Sequence, residues 1–210
     1  MPEPTRPPRS TLQRVRILLW ILVALALIGT AALLLMPRGD PDPPRLQAST
    51  IDATFGGPFT LVGADGRPFS SAKLEGKPYA IFFGFTRCGD VCPTTLGRLA
   101  KLRRQAANDQ ALNIVFVTID PQNDGPKEVG QYATLFDAPI IGLTGSAAQI
   151  DQVKKQYGIH GQPSAHPAPG QEMEHTGSVL LFDRQGRFVS TIAAGESDAA
   201  AVTKLKQLVA

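Results

Sequence analysis

Cysteine is scarce in this chain. Two of its 210 residues are cysteines, Cys88 and Cys92, and both fall in one short stretch. A disulfide framework is therefore excluded. A purely structural staple between these two would also be a poor one, because a disulfide stabilises more the longer the loop it closes. Histidine is nearly as rare, with His160, His166 and His175. An excess of one charge is missing too. From residue 46 onward Lys and Arg balance Asp and Glu at 15 each, so the formal net charge of +3 belongs to the N-terminal end. Nothing in that balance implies a nucleic-acid partner. No internal repeat is visible.

Long apolar stretches are also lacking, except for one. Residues 17–36 carry no charge and are long enough, at helical rise, to cross a hydrocarbon core. Arg6, Arg9, Arg14 and Arg16 precede this run, so residues 1–16 read as a basic cytoplasmic N-terminus and everything after Met36 as exported. No small-x-small cleavage site follows at a natural distance and no cysteine offers a lipid attachment point, so the span reads as an uncleaved transmembrane helix in a membrane of the bacterial inner type. Residues 37–49, rich in Pro, Asp and Arg, read as a linker. Residues 50–210 are the exported domain, periplasmic or otherwise outside the cytoplasm. There a close cysteine pair oxidises unless something keeps it reduced or metallated.

Within that domain strands and helices alternate. Asp65-Gly66 marks a hairpin turn between Phe59–Val62 and Arg67–Phe69. Tyr79–Gly84 and Leu112–Ile119 are continuous apolar runs, as expected of strands buried on both faces. Helices are predicted from Pro93 to Asn108, Pro126 to Leu135, Ser146 to Tyr157 and Ser197 to Val209. A short strand is predicted at Pro139–Leu143 and a second hairpin at Ser178–Phe182 and Phe188–Ile192. Residues 158–174 read as a Gly, Pro and His loop. This order predicts an α/β, thioredoxin-like fold with an N-terminal hairpin extension, preceded by one transmembrane helix. The basic cluster Arg98, Lys101, Arg103 and Arg104 on the first helix reads as a solvated face, with a docking patch for an acidic partner as the alternative.

The cysteines sit where ligands gather in such sheets, just past a strand's carboxyl end. Pro93 disfavours an α conformation for Cys92, which predicts Cys92 as the helix cap with its sulfur facing the positive helix end. Enhanced thiolate character is expected of both cysteines, suiting redox exchange or metal binding. Thioredoxin-type oxidoreductases use two intervening residues and commonly a preceding Trp; here there are three, and the single Trp is Trp20 in the apolar run. The upstream Pro and Thr pattern of peroxiredoxins is absent. Two thiolates attract Cu(I), and one added imidazole gives a set that holds both Cu(I) and Cu(II). A structural zinc site wants a fourth ligand. Of the histidines, His175 stands at the mouth of a predicted strand.

Phe83-Gly84-Phe85-Thr86-Arg87-Cys88-Gly89-Asp90-Val91-Cys92-Pro93-Thr94-Thr95-Leu96 resembles the signature of the Sco/SenC family. The resemblance runs through Gly57–Leu61, the Thr118–Asp124 turn and the His175 strand, over about residues 50–195. It implies a membrane-anchored, thioredoxin-like copper protein that helps assemble the copper site of cytochrome c oxidase subunit II. Cys88 and Cys92 match the family's sulfur ligands and His175 its nitrogen ligand. Asp120 matches an acidic residue beside the site that is not a primary ligand; alternatively it only shapes the turn before Pro121. Arg87 and Gly89 depart from residues common in relatives but remove no ligand. Met173 is a further soft donor or simply a loop residue.

Two functions share these residues. The first is a copper metallochaperone whose partner is cytochrome c oxidase subunit II or another copper chaperone. The second is a membrane-anchored thiol–disulfide reductase that maintains the cysteines of that site or of a copper-delivery partner. A copper or redox sensor is a third reading, but no output domain is present.

Overall fold

The chain divides into two units, residues 1–49 and 50–210. The computed structural model describes residues 16, 18–27, 30, 55–106, 112–163, 173–175 and 177–210, the side chains of 161–163 and 173–175 excepted. In the first unit residues 18–27 are helical, and their large apolar side chains, Trp20 among them, are exposed. No helix among the described residues is long and apolar enough to cross a membrane. The rest of the predicted span 17–36, and the linker 37–49, lie outside the described residues.

In the second unit, apolar runs become the buried centre of the sheet. All six residues of β3 (Tyr79–Gly84) are buried, as are the last five of β4 (Asn113–Thr118). Two β-branched or aromatic strands with no solvent face pair best in parallel between covering layers. β3 and β4 do pair in parallel, and β4 pairs in parallel with β5 (Ile140–Thr144). β8 (Val179–Phe182) joins β3 antiparallel and continues to the edge strand β9 (Phe188–Ile192).

The predicted N-terminal hairpin extends this same sheet. β1 (Thr60–Gly63) pairs with β2 (Pro68–Ser70), and β1 also pairs with β5. Gly66 supplies the positive φ, 74°, that the turn between them requires. The resulting order is β2-β1-β5-β4-β3-β8-β9. Helices cover it: α1 (Val91–Ala106), α2 (Pro126–Ala133), α3 (Ala147–Gln156) and α4 (Asp198–Val209). Ser146 and Ser197 cap the last two through their hydroxyls, as their positions before apolar runs suggest. β6 (Gly161–Pro163) and β7 (Met173–His175) form a separate antiparallel pair, so the ends of the predicted 158–174 loop are strands.

The basic cluster on α1 is only partly the expected solvated face: Lys101 and Arg104 are exposed, whereas Arg98 is half-buried and Arg103 buried, and all four have partners. Arg98 Nε donates to Asp198 Oδ1 at 2.8 Å and its Nη2 to the Glu196 carbonyl, while Lys101 lies 3.7 Å from Asp198. Arg103 is buried and donates to the Leu112 carbonyl at 2.8 Å. Arg104 reaches Asp137. These cations fasten α1 to the elements around it.

Candidate metal centre

Because β3 and β4 run parallel, with Gly84 beside Thr118, both chains leave the sheet at one edge. The loop after β3 carries Cys88 and Cys92; the turn after β4 carries Asp120 and Asp124. β8 is antiparallel to β3, Leu180 opposite Ile81, so the chain enters β8 at that edge as well. A Cβ on Gly177 would lie 3.7 Å from Val91 Cγ1, which puts the entry to β8 against the first turn of α1. His175 lies two residues earlier, on β7, opposite Gly161. The structure thus brings Cys88, Cys92 and Asp120 to one edge and places the His175 main chain on the strand leading to it. The His175 side chain, like Met173 and His166, lies outside what is described. Among the described residues no group of three His, Cys, Asp or Glu side chains is arranged for a metal.

The two cysteines form no disulfide and are hydrogen-bonded through the Cys92 main chain to the Cys88 sulfur. They are not equivalent: Cys92 is 0% exposed and Cys88 9%. Glycine at 84 makes the deeper position available. A Cβ there would meet the Cys92 sulfur at 2.7 Å, so only a residue without a side chain leaves that space.

Cys92 is not the helix cap. α1 starts at Val91, which makes Cys92 the second helical residue and Pro93 the third. Proline is tolerated there because first-turn N–H groups have no partner inside the helix. The N–H of Cys92 donates instead to the neighbouring thiol, Cys88 Sγ, at 3.3 Å. Burial pushes the Cys92 thiol well above its ordinary range. The hydrogen bond with Cys88 adds to this, and the charges of Cys88 and Asp124 act in the same direction. A main-chain hydrogen bond at Phe85 offsets only part of it. The expected thiolate character of Cys92 is therefore overturned: dehydration outweighs the helix end and favours the neutral thiol.

Two cross-links fix the cysteine loop to the turn after β4. On the surface Arg87 Nη2 meets Asp120 Oδ2 at 2.7 Å, and Asn123 donates to both Asp120 oxygens at 3.0 Å. Arg87 thus has a partner in Asp120. Beneath it Asp124 is fully buried. It accepts from the Thr86 amide (2.9 Å), the Thr86 hydroxyl (2.5 Å) and the Thr118 hydroxyl (2.6 Å). Its main-chain carbonyl accepts from the Thr144 hydroxyl at 2.6 Å. Sequence reasoning missed Asp124, which looks like one more turn residue before Gly125-Pro126. The available signal was the pair Thr86 and Thr118, one hydroxyl two residues past β3 and one closing β4, in need of a shared acceptor.

Beside the loop a shallow cleft of about 180 Å³ runs along α1, lined by Asp90, Val91, Thr95 and Leu99 with Gly177 and Ile192 opposite. Val91, between the two cysteines, is 44% exposed at its lip.

The sequence pattern of the SCO1/SenC family matches residues 47–210. The chain is 33% identical over 180 residues to the SCO2-like protein RC0895 of Rickettsia conorii, covering 80% of this chain and 86% of that protein. Bradyrhizobium japonicum ScoI with copper bound is similar in structure, with a TM-score of 0.65 and 35% identity, over 73% of this chain and 99% of the other. Arabidopsis thaliana ScoI with copper bound gives a TM-score of 0.69 at 27% identity, over 74% and 98%.

Proposed function

The chain belongs to the SCO1/SenC family, and from that premise we propose that it is a copper metallochaperone whose cargo is held by Cys88, Cys92 and His175. The observation that carries this reading is the cysteine pair itself: two buried cysteines at the end of β3 with no disulfide between them, the Cys92 N–H donating to Cys88 Sγ, Cys88 the slightly more exposed and Cys92 sealed over Gly84. Soft sulfur donors in a dry, low-coordinate setting suit Cu(I), and an imidazole extends the set to Cu(II). Each thiol releases its proton as it binds. Asp120, tied to Arg87, orients the rim of the site without ligating.

Delivery follows from the asymmetry. Cys88 is the sulfur an incoming ligand reaches first, and a site of two or three donors admits that ligand before any bond breaks. The acceptor is the copper site of cytochrome c oxidase subunit II, or another copper chaperone serving it. Residues 17–36 anchor the chain in the bacterial inner membrane, with residues 1–16 in the cytoplasm and the 50–210 domain outside it, within reach of a membrane-bound acceptor.

The contact between the two cysteines also favours a second reading. As a reductase, the Cys88–Cys92 dithiol would give two electrons and two protons to a partner disulfide, becoming a disulfide while the partner becomes a dithiol. Mixing the copper-loaded or reduced full chain with apo subunit II separates the two. Copper appearing on the partner with reduced cysteines supports delivery. Reduction of a disulfide partner with no copper transferred to either form overturns delivery and supports the reductase.

A further inference from the structure

The shallow cleft beside the cysteine loop is a built feature that the metal centre does not use. Val91 forms its lip, and Leu99, Val179 and Ile192 give it an apolar lining. At about 180 Å³ it is too small for a drug-sized molecule or a cofactor, which take roughly 300 Å³ or more. It suits a single large apolar side chain of the kind that anchors protein–protein contacts. Glycine keeps it open: a Cβ at position 177 would stand 3.7 Å from Val91 Cγ1, so a longer side chain there would crowd the mouth. The wall opposite α1 is fastened in place. Arg98 donates to Asp198 Oδ1 and to the Glu196 and Ala193 carbonyls. Lys204 Nζ ties Glu196 Oε2 to the Thr191 carbonyl, each at 2.8 Å. A recess held in this way needs little ordering when it is filled. Beside Val91 stands Asp90, exposed and also lining the cleft. Its carboxylate accepts from the Thr94 hydroxyl at 3.3 Å, and among the described residues no basic side chain pairs with it.

Asp90 and Val91 both fall between Cys88 and Cys92, so whatever fills the cleft lies against the cysteine loop. An apolar recess calls for an aliphatic or aromatic side chain, and an exposed carboxylate at its edge calls for a cation. We propose that the cleft is the docking site for a cysteine-bearing segment of the acceptor protein, with a large apolar side chain seated in it and a Lys or Arg paired with Asp90. The cysteine of that segment is thereby brought to Cys88, the more exposed of the two sulfurs. An acidic or wholly polar segment is turned away by the same features. The inference rests on the proposed function only in taking Cys88 as the sulfur that a partner reaches, a step that delivery and the reductase reading share.

The test measures how fast the reduced full chain in detergent reacts with short cysteine peptides activated as mixed disulfides with nitrothiobenzoate. Cys88 loses its proton to solvent and its sulfur bonds to the peptide sulfur. The peptide–nitrothiobenzoate bond breaks, and the coloured thiolate leaves with the electron pair. The peptides carry leucine and lysine near the cysteine, or glycine for leucine, or glutamate for lysine, and each rate is divided by that peptide's rate with glutathione. The leucine peptide should outrun the glycine peptide roughly tenfold. Lysine should outrun glutamate about two- to fivefold at low salt, the gap closing as salt rises. Thr95→Trp, which fills the cleft, and Val91→Ser, an exposed change at its lip, should each shrink the leucine preference, and Asp90→Asn the lysine preference. Each preference is a ratio within one protein, so altered thiol reactivity cancels. No reaction or no preference in wild type, or preferences unchanged in all three variants, would overturn the inference. Normal Cu(I) binding by the same wild-type chain would leave the proposed function standing. Wild type that shows both preferences but binds no copper would sink the copper reading and uphold docking. A lowered unfolding midpoint in Thr95→Trp without any peptide preference in wild type would show the cleft to be covered by another segment of the chain. A changed association state in the variants would show it to be covered by a second copy, and either result would overturn the inference.

Discussion

Asp124 and Thr86 stand 38 residues apart and are joined twice, by the Thr86 amide at 2.9 Å and its hydroxyl at 2.5 Å. Two residues after Thr86 comes Cys88, so this buried pair sets where the cysteine loop leaves the sheet. A carboxylate sealed from water is stable only when its oxygens are met, and here three donors meet them.

Asp124→Ala leaves the Thr86 amide and two hydroxyls without an acceptor. The expected loss is about 2–4 kcal/mol of stability, read as a lower unfolding midpoint of the full chain. Asp124→Asn keeps the shape and an acceptor oxygen, so it should cost less while still weakening metal binding. If Asp124→Ala matched wild type in both stability and metal affinity, the cross-link would have no role.

Gly84→Ala tests the deeper sulfur. The new methyl would meet Cys92 Sγ at 2.7 Å and Phe82 at 3.0 Å, and overpacking of this kind costs roughly 1–3 kcal/mol. Cu(I) affinity should fall by more than the stability loss alone would bring, because the sulfur must move. Metal titration beside an unfolding curve checks this; a loss of stability with unchanged Cu(I) affinity would refute it.

The fastening of α4 to α1 should depend on pH. The hydrogen bond from Arg98, foremost, holds the exposed Asp198 carboxyl below the ordinary value of 3.8, with the charges of Arg98 and Lys101 adding. A lowered folded value means the contribution is complete above 3.8 and disappears as pH falls through the still lower folded value. The difference in unfolding midpoint between wild type and Asp198→Asn should therefore be present at neutral pH and close in acid. A difference that persists unchanged into strong acid would show that the ionised Asp198 is not its source.

Much of the fold could be read in advance because its signals are local. Six apolar residues in a row with β-branched and aromatic side chains, as in β3 and β4, have few other homes, and Asp65-Gly66 makes a turn by backbone chemistry alone. The cysteines, Asp120 and His175 were picked out through spacing and resemblance, and β8 after His175 through its apolar run. What escaped depends on distant partners. The burial of Asp124 needs Thr86 and Thr118, and the use of Arg103 needs the Leu112 carbonyl. The state of Cys92 was misjudged because a helix end was weighed without the dehydration that the Gly84 backbone imposes. The β6–β7 pair was missed because strands of three residues containing Gly, Pro and His carry no periodic signal.

Anaerobic titration of the reduced full chain with Cu(I) and Cu(II), beside Cys88→Ser, Cys92→Ser and His175→Ala, measures the copper centre most directly. The proposed site requires one copper per wild-type chain in either state, loss of both on removing either sulfur, and loss of tight Cu(II) binding but not of thiol exchange on removing the imidazole. Wild-type Cu(II) affinity in His175→Ala, or undiminished copper binding without the cysteines, would contradict it.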